Sequence, residues 1–272
     1  MRVYCIDFET YYDKAFSLSK LTTEEYIRSP EFEVIGVSVV EDGGEPQWFS
    51  GTKAATDAWL QSFNFQEHMV IAHNAAFDMA ILSWQFGIRP KAIVDTLGMA
   101  RALHGTEVGG SLEKLAEYYG VGVKGKEVLA AIGKHRIDFA PEDLAQYGEY
   151  CKNDTVLTLA IFKCMLPEFP ISELKLIDLT IRMFTEPTLV LDKQVLTNHL
   201  SLVQASKAKL MEFVETDRDN IMSNEKFASL LSAAGVEPPR KVSPTTGKET
   251  WAFAKSDEAF KALLEHDNEL VQ

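Results

Sequence analysis

The opening segment Met1-Arg2-Val3-Tyr4-Cys5-Ile6-Asp7-Phe8-Glu9-Thr10 puts two carboxylates one residue apart where a strand ends. Residues 2–7 are rich in β-branched and aromatic side chains and read as a strand. Side chains alternate along a strand, so Asp7 and Glu9 project to the same face. Two carboxylates held that close raise each other's pKa. A divalent cation removes the conflict by binding both as anions. The pattern predicts a metal site, provided that more acids arrive from elsewhere in the chain.

Periodicity places the rest of the first part around that strand. Strands are expected over 33–41, 46–50, 69–72 and 92–94, and helices over 53–65, 75–86, 96–103 and 111–119. The Asp42-Gly43-Gly44 turn joins the second and third strands as a hairpin. This alternation implies an α/β sheet covered by helices, with hairpin-linked strands on one side. Pro141, followed by Glu142 and Asp143, opens a long helix over 141–165. Leu166-Pro167-Glu168-Phe169-Pro170 breaks it and is the expected domain boundary. Helices are then expected over 172–184, 192–220, 224–234 and 257–265. The second of these is capped by Asp192 and carries Leu196, Leu200, Val203, Leu210 and Val214 on one stripe. Residues 240–255 read as a Ser/Thr/Gly-rich loop with cations at Arg240, Lys241, Lys248 and Lys255.

Two further acidic segments answer the demand set by Asp7 and Glu9. His73-Asn74-Ala75-Ala76-Phe77-Asp78 lies where the fourth strand passes into a helix, the edge of an open α/β sheet at which sites form. Taken alone it has an ordinary reading, with Asn74 as N-cap and Asp78 complementing the helix dipole. Tyr150-Cys151-Lys152-Asn153-Asp154 lies inside the helix that starts at Pro141. Tyr150 and Asp154 are four apart and share a face, with Tyr147 and Ile161 near them. A mid-helix Asp on a partly apolar stripe is costly unless it is paired or holds a cation. Its ordinary reading is an Asp that reaches water, beside a packed Tyr150.

The three segments occur in order: Asp-x-Glu at a first strand end, Asn-x-x-Phe-Asp at a strand–helix junction and Tyr-x-x-x-Asp in a late helix. Together they resemble the exonuclease superfamily with four acidic metal ligands, on the ribonuclease H-like fold, in its tyrosine-containing branch. The histidine branch would place His five residues before the last Asp, where this sequence has Glu149. The resemblance covers roughly residues 2–164. It implies an α/β fold with a mixed sheet flanked by helices, followed here by a mainly helical C-terminal extension. It also implies two divalent cations, Mg²⁺ or Mn²⁺. Asp7 would bridge both, Glu9 and Asp154 would complete the first site, and Asp78 would hold the second directly or through water. Tyr150 would orient the attacking water. Asn74, Phe77 and Thr10 would contact the terminal nucleotide. Asp95 is expected as an N-cap, and His73 and His104 as structural or solvent-facing.

The second half looks like the passage from the proofreading domain of a family A DNA polymerase into its thumb. Residues 172–192 resemble the junction, helix 192–220 the start of the thumb, and 235–248 the thumb tip, where Arg240, Lys241 and Lys248 would meet duplex backbone. The expected division is 1–168 for the exonuclease and 169–272 for a partial thumb-like region. No nucleotide-binding lysine helix or paired-aspartate palm motif occurs, so a polymerase active site is not in this chain. A truncated piece and a natural fragment both remain open.

The implied activity is two-metal 3′-5′ exodeoxyribonuclease, proofreading for a phage-type family A polymerase. Its partners would be a single-stranded 3′ end of DNA, a primer–template duplex at the thumb-like region and the remaining polymerase region. Two alternatives stay open: a free-standing exoribonuclease similar to ribonuclease D, and a non-catalytic DNA-placement module. The net charge of −13 argues against general electrostatic attraction to nucleic acid but suits an acidic, cation-binding cleft. Cys5, Cys151 and Cys164 show no CxxC spacing, and no histidine pattern suggests zinc. With no membrane-length apolar run and no signal-peptide pattern, the expected location is the cytoplasm of a bacterial or phage-infected cell.

Overall fold

A computed structural model describes residues 1–125, 131–213, 218–267 and 271. The first compact unit spans Met1–Leu189. Its strands are β1 (Val3–Thr10), β2 (Val34–Glu41), β3 (Gln47–Phe49), β4 (Met69–Ala72) and β5 (Ala92–Asp95). Its helices are α1 (Thr23–Arg28), α2 (Lys53–Gln61), α3 (Ala76–Phe86), α4 (Thr96–His104), α5 (Leu112–Tyr119), α6 (Pro141–Met165) and α7 (Ile171–Thr185).

The five strands form one mixed sheet in the order β3-β2-β1-β4-β5. β1 pairs antiparallel with β2 and parallel with β4, so the strand that carries Asp7 and Glu9 runs through the centre. The hairpin-linked strands β1–β3 make one side and the helix-linked strands β4 and β5 the other, as the alternation implies. Both faces are apolar and covered. Tyr4, Ile6 and Phe8 pack on one side with Val37, Val39, Met79 and Ile81. Cys5 faces the other with Ile71, Val94, Leu115, Leu157 and Ile161. Alternation therefore turns Asp7 and Glu9 toward the face that α6 covers.

Sequence expectation and structure differ in several places. β1 runs three residues past Asp7 to Thr10, and its register with β2 shifts between Glu9 and Thr10. α1 was not expected, although Thr22 and Glu25 form a reciprocal capping box at its start. Asn74 does not cap α3. It adopts a left-handed conformation (φ 65°), and Ala75 precedes the helix without a side-chain cap. The break after α6 is a single 3₁₀ turn, Leu166–Glu168. α7 then packs on α3 and β5, with Asp178 Oδ1 accepting from the Ile93 N–H at 2.7 Å. α7 thus belongs to the first compact unit, which extends through Leu189.

The second unit, Val190–Gln272, contains α8 (Lys193–Phe213), α9 (Arg218–Met222), α10 (Asn224–Ala233), β6 (Arg240–Val242), β7 (Glu249–Trp251) and α11 (Glu258–Lys261). Asp192 Oδ1 accepts from the Val195 N–H at 3.0 Å, the expected cap of α8. Residues 214–217 of the expected 192–220 helix, including Val214, lie outside the described residues. The expected 240–255 loop holds an antiparallel hairpin, β6–β7. Its Ser243–Lys248 connection is the turn, and an aromatic cluster of Phe227, Trp251, Phe253 and Phe260 anchors it. Among the described residues no helix is long and apolar enough to cross a membrane.

Candidate active site

The four predicted carboxylates come from three elements. Asp7 and Glu9 lie on β1, Asp78 in the first turn of α3 and Asp154 in the middle of α6. Asp78 is buried and accepts from the Phe8 N–H at 3.1 Å, which ties α3 to the strand between the two β1 acids. α6 approaches from the opposite side. Tyr147 donates to Glu9 Oε2 at 2.5 Å, and the Cys151 thiol lies 3.3 Å from Asp7 Oδ2. Asp154, one turn further on, is 5% exposed; its Oδ1 is buried and has no hydrogen-bond partner among the described residues.

The close approach of α6 depends on two glycines. A Cβ on Gly148 would lie 2.5 Å from Trp48 Cδ1, and one on Gly36 would lie 2.2 Å from Trp48 Cη2. Gly36 is the β2 partner of Glu9. The Trp48 indole thus occupies space left by a missing side chain on both the sheet and the helix, directly beside the acidic strand end.

Charge crowding shows in the titration of the four acids. Burial, then the Asp154 charge, pushes Asp7 up to about 7. Burial, then Asp7, pushes Glu9 up to about 8, against the hydrogen bond from Tyr147. Burial and Asp7 drive Asp78 well above the carboxylate range. Burial also raises Asp154, although Lys124 opposes the shift. Burial and mutual charge disfavour each acid as an anion, so the cluster favours protons or cations.

Oxygen donors that need positive charge, together with the orphaned Asp154 Oδ1, fit hard divalent ions such as Mg²⁺ or Mn²⁺. One ligand atom each from Asp7, Glu9 and Cys151 lie within 4.8 Å of one another. The thiol is protonated, since burial and then the charge on Asp7 raise its pKa well above the ordinary value. It is therefore a hydrogen-bond donor to Asp7 rather than a thiolate ligand.

Tyr150 is buried on α6, and its phenol pKa is raised, first by burial. Its ring lies 5.2 Å from the Lys124 ammonium, which also pairs with Asp154 Oδ2 at 2.5 Å. Sequence reasoning missed Lys124, because nothing in local spacing links a loop lysine to an acid 30 residues later. The contacts of Tyr147 were more accessible: Tyr147, Tyr150 and Asp154 stand at i, i+3 and i+7, one helical face.

The expected substrate residues divide. Thr10 and Phe77 line a cleft with Phe8, Glu9, Tyr12, Ser17, Leu18 and Tyr26. Within it Thr10 Oγ1 lies 2.9 Å from the Tyr26 hydroxyl. Asn74 is exposed and is not among the residues of that cleft. Its N–H and that of Ala75 donate to Asp95 Oδ1 at 2.8 and 3.2 Å. The same oxygen accepts from Leu97 N–H at 3.0 Å, so Asp95 is the expected N-cap, of α4, and also fixes the Asn74 turn. His73 bridges Thr96 Oγ1 and the Gly110 carbonyl, and His104 bonds the Tyr119 hydroxyl, both structural arrangements.

In the second unit, Arg240 pairs with Glu249 at 2.9 Å and stacks on Trp251, and Lys241 pairs with Asp257 at 2.7 Å. Lys248 is exposed.

Residues 48–170 match the family model of a 3′-5′ exonuclease. The matched segment contains Asp78, Tyr150 and Asp154, while Asp7 and Glu9 reach the same site through the sheet. Among curated proteins none matches the sequence. Among solved structures the fold is similar to that of RNase D from Trypanosoma brucei in complex with RNA U12, with 14% identity and a TM-score of 0.54 over 71% of this chain and 66% of that one. It is also similar to a mutant catalytic core of RRP6 from Trypanosoma brucei, with 15% identity and a TM-score of 0.50 over 67% of this chain. The chain spans 46% of that RRP6 core. At these identities the likeness establishes the fold alone, and the family match is a similarity over residues 48–170. Residues 48–170, just under half of the chain, therefore resemble a 3′-5′ exonuclease, and the fold is ribonuclease H-like.

Proposed function

We propose that the protein is a metal-dependent 3′-5′ exodeoxyribonuclease that proofreads for a phage-type family A DNA polymerase in a bacterial or phage-infected cell. The observation that carries the nuclease reading is the convergence of Asp7, Glu9, Asp78 and Asp154, none of them comfortable as an anion without cations. Asp7, Glu9 and Asp154 would hold one divalent ion, and Asp7 with Asp78 the other. When bound, such ions supply a hydroxide nucleophile at neutral pH and offset charge at the departing 3′ oxygen.

The chain's own residues do the positioning. Tyr147 fixes the Glu9 carboxylate, and Cys151 donates to Asp7. Tyr150 stays protonated at neutral pH, so it orients the attacking water as a hydrogen-bonding group and is not the base. Phe77, with Tyr12 and Leu18 from the same cleft, offers apolar surface to the terminal base, and Thr10 stands beside Glu9. Asn74 would reach the nucleotide from the exposed turn before α3.

The preference for DNA rests on the resemblance of residues 172–248 to a polymerase junction and thumb. With Arg240 and Lys241 engaged inside the unit, the exposed Lys248 at the β6–β7 turn would offer the phosphate contact. The test is degradation of 5′-labelled DNA with paired or mispaired 3′ ends beside RNA of the same sequence. The reading expects mispaired DNA to shorten fastest, because melting its end costs less. RNA shortened as fast as DNA would replace it with a ribonuclease D-like activity. Equal rates on paired and mispaired ends would remove the proofreading role.

A further inference from the structure

Lys124 brings an ammonium into the carboxylate cluster, and the fold places it there deliberately. The loop after α5 is held against α6 on both sides of Asp154. Asn153 Nδ2 donates to the Val123 carbonyl at 3.0 Å. Gly122, at φ +148°, lies so close that a Cβ would come within 2.8 Å of Leu157. Lys124 follows directly, with its Nζ on Asp154 Oδ2 and above the Tyr150 ring. Its side chain is 27% exposed, and its four-carbon stem is of the flexible kind.

The pairing is incomplete. The ammonium satisfies Asp154 Oδ2, while Oδ1 stays buried without a partner among the described residues. A divalent ion on this carboxylate competes with the ammonium for the same charge. A phosphate entering the cluster offers the ammonium another anion.

We propose that Lys124 is an interlock: it occupies the cation position at Asp154 until a nucleotide phosphate draws it away, so that metal and phosphate bind cooperatively. The proposal rests on the metal-nuclease reading. It makes Lys124 a positioning residue, since it acts through Asp154 and Tyr150. Coupling of this kind is reciprocal between the two ligands and is typically 5- to 150-fold, about tenfold being the expectation here.

The test is Mn²⁺ titration by calorimetry, with and without a nucleoside 5′-monophosphate, on the full chain and on Lys124→Met and Lys124→Arg. In the wild type the nucleotide should tighten Mn²⁺ binding at least about tenfold. Lys124→Met should bind Mn²⁺ about tenfold tighter without nucleotide, and the nucleotide should add correspondingly less. Lys124→Arg keeps the charge and should keep the wild-type dependence. Thermal melts at saturating Mn²⁺ verify that each variant is folded. Identical Mn²⁺ binding by wild type and Lys124→Met, with and without nucleotide, would overturn the interlock and leave the nuclease reading standing. Absence of Mn²⁺ binding by every protein would overturn both.

Discussion

The Tyr147 hydroxyl meets the Glu9 carboxylate at 2.5 Å across 138 positions of sequence, joining α6 to the central strand at the acidic cluster. A hydrogen bond to a charged group contributes about 1.5–3 kcal/mol, roughly a tenfold to hundredfold change in an equilibrium. Tyr147→Phe keeps the ring that stacks on Phe139 and Tyr150 but removes this donor. Mn²⁺ affinity should fall about tenfold or more, and the melting temperature without metal should fall as the link between α6 and β1 is lost. Calorimetric titration and a thermal melt check the two halves; unchanged Mn²⁺ affinity would show that the hydroxyl does not prepare Glu9.

Gly148→Ala tests the close approach of α6 to the sheet. Alanine gains about 1 kcal/mol of helix propensity, while forcing a methyl against Trp48 costs about 1–3 kcal/mol. Overpacking should win, because the clash is with a ring already confined by Gly36. Denaturant unfolding should show a net loss of about 1 kcal/mol, and nuclease activity should fall further than stability as Asp154 shifts away from Asp7. A stabilised, fully active variant would mean that the helix does not need that proximity.

The raised acids set a pH dependence on the metal-free fold. Free Asp and Glu titrate near 4, whereas burial and neighbouring charge move Asp7 to about 7 and Glu9 to about 8. The folded protein therefore holds protons that the unfolded chain has released. Their favourable contribution is complete below about pH 4 and is lost as pH rises through 7 to 8. In EDTA the melting temperature should drop between pH 6 and 8.5, and added Mg²⁺ or Mn²⁺ should raise it more at pH 8.5. Asp7→Asn with Glu9→Gln should flatten the slope. A slope equally steep in that double variant would assign the dependence to other groups.

Asp154→Asn removes a charge from a buried site while keeping its shape. The Lys124 ammonium loses its partner, but crowding of Asp7 and Glu9 is relieved. Activity should fall by at least about 100-fold, the scale of losing a group that stabilises developing charge. Asp7 should titrate lower, which NMR of the carboxyl carbons would detect. Wild-type activity would remove Asp154 from the site.

Much of the site was legible because its acids obey local rules. Asp7 and Glu9 share a face by strand alternation, Asp78 opens a helix at a strand end, and Tyr150 and Asp154 share a helical face. The core strands were equally readable from short apolar runs such as Met69–Ala72. What was missed came from long-range geometry or competing turn chemistry. Lys124 reaches Asp154 through a loop whose course is set by Asn153 and Gly122. Asn74 looked like a cap, but Asp95, from the neighbouring strand end, takes its N–H and turns it left-handed. The β6–β7 hairpin was hidden by a polar, glycine-containing turn and is held by aromatic packing more than by strand pattern. α1 is the exception: Thr22-x-x-Glu25 was a readable start signal for a helix too short to show a period.

The most direct test of the account is shortening of a 5′-labelled, 3′-mispaired DNA primer with Mg²⁺, Mn²⁺ or EDTA, by the wild type and by the Asp7→Ala, Glu9→Ala double variant. Stepwise loss from the 3′ end should require the metal and disappear in the double variant. Shortening that survives EDTA, or that persists without Asp7 and Glu9, would contradict a metal-dependent active site at this carboxylate cluster.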